Sequence, residues 1–331
     1  MQSADFEEDL YKKWFRRPTL FMACAWFLLA VAGRIVIRVG LSELALLMKR
    51  LGLTDVRGYV TAATDALYQM GVLALPVVWY AARHPGVDQS MRLGRPQPLT
   101  AVYALALAVG ALPLATCLSG WWTLLLQSLG AALPEPAAAP STPAGLAHAL
   151  LLSALLPGLC EELMFRGGIF GAWERRGAEN ALVVSALMFA ALHGSVQGLP
   201  TQLVMGFALG YIVLRSGSVW VGAIVHCAFN AAVLVLGYLL GGRAEMNIYA
   251  FISMPTGLSL FIADTVASAA LFGLLLIGLK RLCEWRGQGG VHLSQPDPAS
   301  LESLELVVLM AGIVTAAICY LEDVLSICGV L

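Results

Sequence analysis

Charged residues are scarce in this sequence, and neither sign dominates. Lysine and arginine number 20 and aspartate and glutamate 21 among 331 residues, which gives a formal net charge of −1. Because the chain has no extended field of one sign to attract nucleic acid, no nucleic-acid binding is expected. Hydrophobic residues make up 59% of the chain and the mean hydropathy is +0.79, which is more apolar surface than a soluble core would use. The composition therefore predicts a polytopic membrane protein that is surrounded by the lipid bilayer.

Paired cysteines and a cleavable leader are also missing. The seven cysteines occur singly, with no Cys-x-x-Cys pair, which favours buried free thiols over disulfides or a cysteine-based metal site. The first apolar run starts only near Leu20 and is not followed by a small-residue cleavage pattern. It is therefore expected to stay in place as a membrane anchor.

Apolar runs that suit transmembrane helices recur along the whole chain. They occupy residues 19–39, 64–82, 99–126, 144–173, 180–197, 198–215, 218–240, 257–280 and 303–328. We therefore predict an all-α, polytopic transmembrane helix bundle of about eight or nine spans. Basic residues concentrate at alternate segment ends. By the positive-inside rule this places the N-terminus in the cytoplasm of a cell-membrane protein and, with nine spans, the C-terminus on the opposite side.

Changes in composition divide the chain into five parts. These are a cytoplasmic collar at 1–18, N-terminal transmembrane helices at 19–127, a motif-bearing bundle at 144–281, a Gly- and Pro-rich linker at 282–302 and an additional transmembrane helix at 303–331. Within the first span, Arg34 and Arg38 lie one turn apart, and snorkelling toward the interface is the simplest explanation for them. No motif falls in the last helix, so composition alone gives it no role.

One otherwise apolar segment contains two adjacent carboxylates and a guanidinium, namely Glu161, Glu162 and Arg166. Charges at membrane depth cost on the order of 3 kcal/mol each, so they indicate a functional site. Glu162 and Arg166 are four residues apart and can pair on one helix face. Glu161 points about 100° away and is left without a cation. A carboxylate held out of water in this way is suited to act as a general base.

Two further apolar segments each present polar groups on a single helix face. Phe189 and His193 are four residues apart, as are His226 and Asn230. The segment after Glu161 and the segment before His193 are each about 20 Å long or slightly less, and only a short turn joins them. Antiparallel neighbours of this kind place Glu161 and His193 at the same depth, which is the geometry that a shared water or metal requires.

In these motifs the chain resembles the CPBP intramembrane proteases. That family includes the type II CAAX prenyl endopeptidases and bacterial proteins once labelled bacteriocin-immunity or Abi. Its three motifs are Glu-Glu-x-x-x-Arg, Phe-x-x-x-His and His-x-x-x-Asn/Asp. They appear here in the family's order as Glu161-Glu162-x-x-x-Arg166, Phe189-x-x-x-His193 and His226-x-x-x-Asn230. The resemblance implies that these motif residues lie on three core helices and form the catalytic site.

The resemblance implies an intramembrane endopeptidase that cuts a membrane-associated or lipidated polypeptide. Glu161 would take a proton from water, with His193 orienting that water, while His226 and Asn230 would donate hydrogen bonds to the oxyanion. Glu161, His193 and His226 also have the ligand types of a catalytic zinc site, as expected of a metalloprotease. A metal-free glutamate mechanism uses the same residues and is the preferred form.

Two other classes of function remain open from the sequence. A non-proteolytic scaffold or immunity-type protein of the same fold would use the bundle to bind a partner. A transporter would use the buried carboxylate to relay protons, although the broken helices and symmetric halves expected of one are not evident. Other intramembrane protease chemistries are not supported, because the sequence lacks His-Glu-x-x-His, Gly-x-Ser-Gly and Gly-x-Gly-Asp. The sequence specifies neither one substrate nor an oligomeric state.

Overall fold

The computed structural model describes residues 17–52, 57–133, 138–241, 252–287 and 301–329. It is 84% helix, and the described ranges contain no strand, which confirms the all-α class. We label the long helices α1 (Leu20–Arg50), α2 (the consecutive segments Arg57–Leu67, Tyr68–Ala74 and Leu75–Arg83), α3 (Pro98–Ser128), α4 (Pro143–Arg176), α5 (Ala178–His193), α6 (Leu199–Ser216), α7 (Val219–Leu239), α8 (Gly257–Trp285) and α9 (Ser303–Ile327).

Six of these helices are long and apolar enough to cross a membrane, namely α1, α3, α4, α7, α8 and α9. They support a multi-pass membrane protein. The predicted count of eight or nine spans is not confirmed, because α2, α5 and α6 are not among the six. α5 has 16 residues and is therefore about 24 Å long, shorter than a hydrocarbon core of about 30 Å.

Charged and polar contacts gather several helix ends at one end of the bundle. The carboxylate of Glu174, in the last turn of α4, accepts a hydrogen bond from Arg92 at 2.7 Å and lies 3.7 Å from Arg17. The backbone N–H of Val219, at the start of α7, donates to the carbonyl of Arg92 at 3.0 Å. Arg17, Arg92, the end of α4 and the start of α7 therefore lie on one side of the bundle. That this side is cytoplasmic stays a prediction, and residues 1–16 of the basic collar and 288–300 of the linker lie outside the described residues.

Helices α1 and α9 run parallel to each other. The backbone N–H of Phe21 donates to Glu305 at 3.1 Å, so the two helices begin at the same end. Further along, Arg38 and Glu322 form an exposed ion pair at 3.5 Å. The chain therefore begins its first and last long helices on the same side of the bundle.

Helices α2 and α4 both widen into π-helical turns. One π segment, Tyr68–Ala74, lies just before Pro76, and another, Leu150–Leu155, lies just before Pro157. Proline has no N–H to donate and its ring clashes with the carbonyl four residues earlier, so a wider turn relieves the misfit. These two segments contribute residues to the cavity that holds the motif side chains, and a third π segment in α4, Leu163–Ile169, contains Arg166.

Helices α4 and α7 approach each other closely at Gly158. A Cβ at this position would lie 2.3 Å from the Sγ of Cys227 and 2.8 Å from its backbone nitrogen. Only glycine fits without displacing α7. This close approach brings Glu162, one turn further along α4, within reach of His226.

Gly158→Ala is therefore expected to destabilise the protein by about 1–3 kcal/mol, as overpacking of a tight contact does. The measurement is the thermal unfolding midpoint of the purified protein in detergent. Gly273→Ala is the matched control, because no atom lies within 4 Å of a Cβ built there. Equal midpoints for the two variants would contradict this account of the α4–α7 contact.

Candidate active site

Motif residues of α4, α5 and α7 line one cavity of about 320 Å³, and residues of α2 form another part of its wall. The residues lining it are Asp65, Tyr68, Gln69, Leu152, Ser153, Pro157, Glu161, His193, His226 and Asn230. The structure thus brings together Glu161, His193, His226 and Asn230. It places Glu162 and Arg166 behind the cavity wall, fully buried.

The buried pair of Glu162 and Arg166 orients a histidine. Arg166 Nη1 donates to Glu162 Oε1 at 2.8 Å, and its Nη2 donates to the carbonyl of Gly206 in α6 at 3.0 Å. His226 Nδ1 lies 3.1 Å from the same Glu162 oxygen. A carboxylate only accepts, so Nδ1 carries the proton in this contact. This leaves Nε2 as the second ring nitrogen available to the cavity.

Phe189 lies at the centre of the motif side chains. The Arg166 guanidinium lies 4.3 Å from the centre of its ring. The rings of His193 and His226 have centroids 4.8 Å and 5.8 Å from that of Phe189. The aromatic ring therefore spaces the two histidines and covers the buried cation, which explains why a phenylalanine accompanies the histidine in this motif.

The second carboxylate, Glu161, has an oxygen with no hydrogen-bond partner. Its Oε1 accepts a hydrogen bond from Gln69 at 3.1 Å. Its Oε2 is buried, makes no hydrogen bond and lies 3.9 Å from His193 Nε2. His193 Nδ1 donates to the carbonyl of Phe189 at 2.8 Å, so Nε2 of the neutral ring carries no proton. Two acceptors thus face each other at a distance that one bridging water can span.

Asn230 lies one turn beyond His226 on α7 and lines the same cavity. Its side-chain Nδ2 donates to the carbonyl of Ser153 at 3.2 Å. Ser153 lies in a π-helical segment of α4, four residues before Pro157, which has no N–H to donate to the Ser153 carbonyl. An amide nitrogen has two hydrogens, so one remains for another acceptor in the cavity.

Comparisons with known proteins agree on the class of the motif-bearing segment. Residues 143–232 match the family model described as Type II CAAX prenyl endopeptidase Rce1-like. The chain is also similar to the Bacillus subtilis (strain 168) protein named "Putative membrane peptidase YdiL", with 27% identity over 88 residues. These findings support assignment to the CPBP family. The CPBP match begins with α4 and ends within α7, so it contains all three motifs.

The matches cover only part of each chain. The aligned region covers 26% of this chain and 36% of the Bacillus subtilis protein, so the chain spans about a third of that relative's length. No solved structure matches the chain. Helices α1 to α3, α8 and α9 lie outside the residues that match the family model.

Helix α2 contributes site residues that sequence reasoning missed. Asp65, Tyr68 and Gln69 lie at helical spacing on one face of α2 and line the cavity. Gln69 contacts the CPBP motif directly through Glu161, and its own Oε1 is buried without a hydrogen-bond partner. The signal available in the sequence was a polar pair, Asp65 and Gln69, four residues apart within an apolar run.

Among the described residues no group of three histidine, cysteine, aspartate or glutamate side chains is arranged to hold a metal ion. His226 donates from Nδ1 to Glu162, which leaves its Nε2 free, and Glu161 lies 3.9 Å from His193; both features are compatible with a shared metal as well as with a shared water. The zinc alternative named for Glu161, His193 and His226, like the metal-free alternative, stays a hypothesis.

Arg166→Met is expected to be more destabilising than the double variant Glu162→Gln, Arg166→Met. The single change leaves a buried carboxylate without its cation, which costs about 3–5 kcal/mol, whereas the double change removes both charges. The measurement is the free energy of unfolding in detergent titrated with a denaturing surfactant. A double variant as unstable as the sum of its single changes would show that the two side chains do not compensate each other.

Proposed function

We propose that this chain is an intramembrane endopeptidase that hydrolyses a peptide bond of a membrane-associated or lipidated polypeptide. The observation that carries the proposal is the buried Oε2 of Glu161, which has no hydrogen-bond partner and faces His193 Nε2 at 3.9 Å inside the cavity. Glu162 Oε2 also lacks a hydrogen-bond partner, but it lies behind the cavity wall, whereas Glu161 lines the cavity and faces a histidine. The membrane peptidases found by comparison support the same class of reaction.

The first step is activation of water between the two side chains. Glu161 Oε2 takes a proton from the water, and His193 Nε2 accepts a hydrogen bond from its second hydrogen, which orients the oxygen lone pair toward the peptide carbonyl. Gln69 keeps Glu161 Oε1 occupied by donating to it at 3.1 Å. The free oxygen is therefore the one that faces the histidine.

The second step is formation of the tetrahedral intermediate, followed by its collapse. Attack of the water oxygen forms the new C–O bond and moves the carbonyl electron pair onto oxygen. Asn230, with its second amide hydrogen, and His226 donate to this oxyanion. The contact from His226 Nε2 requires the doubly protonated ring, with Glu162 as its counter-charge. When the C–N bond breaks, protonated Glu161 gives its proton to the leaving amine, which returns the carboxylate.

The polypeptide substrate is proposed to reach the cavity from within the bilayer. The family model is named for CAAX prenyl endopeptidases, so a prenylated peptide ending in Cys-aliphatic-aliphatic-X is the first probe to use. The same peptide without the prenyl group is its matched control. Cleavage of both at equal rates would assign the chain to membrane-associated substrates in general and not to lipidated ones.

Glu161→Gln is expected to lower turnover of the cleaved peptide in liposomes by about 10²–10⁴-fold, the range attributed to general acid–base catalysis. The carboxamide keeps the shape of the side chain and cannot take the proton. Glu179→Gln, an exposed carboxylate near the start of α5, is the matched control and should keep wild-type turnover. The readout is appearance of the new N-terminus by mass spectrometry.

The same pair of variants tests the chain in cells, where the substrate need not be known. New protein termini that appear with the wild-type protein and with Glu179→Gln, and disappear with Glu161→Gln, are the expected result. If the Glu161→Gln protein gave the wild-type set of termini and the wild-type phenotype, the scaffold alternative would replace the protease.

A further inference from the structure

The last turn of α5, which ends at His193, is hydrogen-bonded by side chains from two distant helices. The final carbonyls of a helix have no partner within the helix itself. Here Arg34 Nη1, from α1, donates to the carbonyl of Leu192. Tyr320 Oη, from α9, donates to the carbonyl of Ala190 at 2.8 Å. A cation at a helix C-terminus is also favourable for the helix dipole. Arg34 thus has a hydrogen-bond partner within the bundle, which its position in the sequence did not indicate.

The residues that follow His193 are also held by side chains from distant helices. The backbone N–H of Val196 donates to Asp323 Oδ2, from α9, at 2.6 Å, and Trp122 Nε1, from α3, donates to the carbonyl of Val196 at 2.6 Å. Gly194 adopts a positive φ of 55°, and a Cβ there would lie 2.9 Å from Cβ of Cys319 in α9. Helix α9 therefore contacts this turn both before and after the histidine.

Helix α9 is itself held firmly on α1. A Cβ at Gly312 would lie 2.7 Å from the ring of Phe27, so the two helices pack too closely there for a residue larger than glycine. At their common starting end Phe21 N–H donates to Glu305 at 3.1 Å. Residues of α9 lie outside the 143–232 segment that matches the peptidase family. Helix α9 therefore packs closely on α1 and directly contacts the turn that carries the motif histidine.

We propose that α9 is a positioning element for the active site, in which Tyr320 and Asp323, together with Arg34, hold the end of α5 so that His193 Nε2 faces Glu161. The ring follows this turn because its Nδ1 donates to the carbonyl of Phe189. The catalytic meaning of this arrangement rests on the proposed function. The effect of α9 on the His193 ring does not.

The first test is the NMR signal of the His193 imidazole in protein labelled with ¹⁵N-histidine, assigned by its loss in His193→Asn. The wild-type ring is expected to show one tautomer, protonated at Nδ1. The double variant Tyr320→Phe, Asp323→Ala is expected to shift or broaden that signal. Thr315→Val is the matched control on α9, since its hydroxyl donates only within the helix, to Ala311, and it should leave the signal unchanged.

Asp323→Asn separates hydrogen bonding from charge, because its amide oxygen can still accept from the Val196 N–H. It is expected to restore the wild-type His193 signal that Asp323→Ala alters. Thermal unfolding of each variant accompanies the spectra. A double variant with a lower unfolding midpoint but an unchanged His193 signal would overturn the proposal and leave α9 as a structural helix only.

The second test is turnover of the prenylated Cys-aliphatic-aliphatic-X peptide in liposomes. Loss of positioning should lower kcat about tenfold or more in the double variant, while KM changes less than twofold, since misplacement of a reacting group by about 1 Å can cost 100-fold. A rise in KM alone would contradict positioning. If the wild type cleaves neither probe peptide while the His193 signal still responds to α9, the proposed function fails and the structural coupling stands.

Discussion

Charges removed from water must be compensated within the protein, and Glu162 is where this bundle meets that constraint. One of its oxygens accepts hydrogen bonds from both Arg166 and His226, so α4 is tied to α7. Through its other terminal nitrogen Arg166 reaches the Gly206 carbonyl of α6. A Cβ at Gly222 would lie 3.0 Å from the second Glu162 oxygen, so glycine leaves the carboxylate the space it needs. The three helices are thereby held around a single buried ion pair.

The neighbouring carboxylate shows what that arrangement makes possible. Glu161 precedes Glu162 in the chain but points to a different side of α4, where it meets a glutamine and a histidine and no cation. The two glutamate carboxylates thus lie in different environments, and we attribute their different roles to this difference. The paired glutamate holds helices together and orients His226. The other is left with an unused oxygen at a cavity, which is what proton transfer requires.

The polar pairs within single helices could be predicted from the sequence, because the helical repeat alone sets which side chains share a face. That is why Glu162 with Arg166, and the motif pairs of α5 and α7, lie as their spacing indicates. Contacts between distant parts of the chain had no such local signal. Gln69 meets Glu161 across 92 residues and Tyr320 meets Ala190 across 130. Helix lengths were also hard to predict from the sequence, since apolar composition does not reveal that α5 ends after 16 residues.

The central claim is that Glu161 and His193 share one water molecule in a cavity closed by α2. An experimental structure at a resolution that shows ordered water tests this most directly. We expect density for one water within hydrogen-bonding distance of both Glu161 Oε2 and His193 Nε2, with Gln69 on the other carboxylate oxygen. A Glu161 side chain that faces lipid, or one that lies too far from His193 for a single water to join them, would contradict the account.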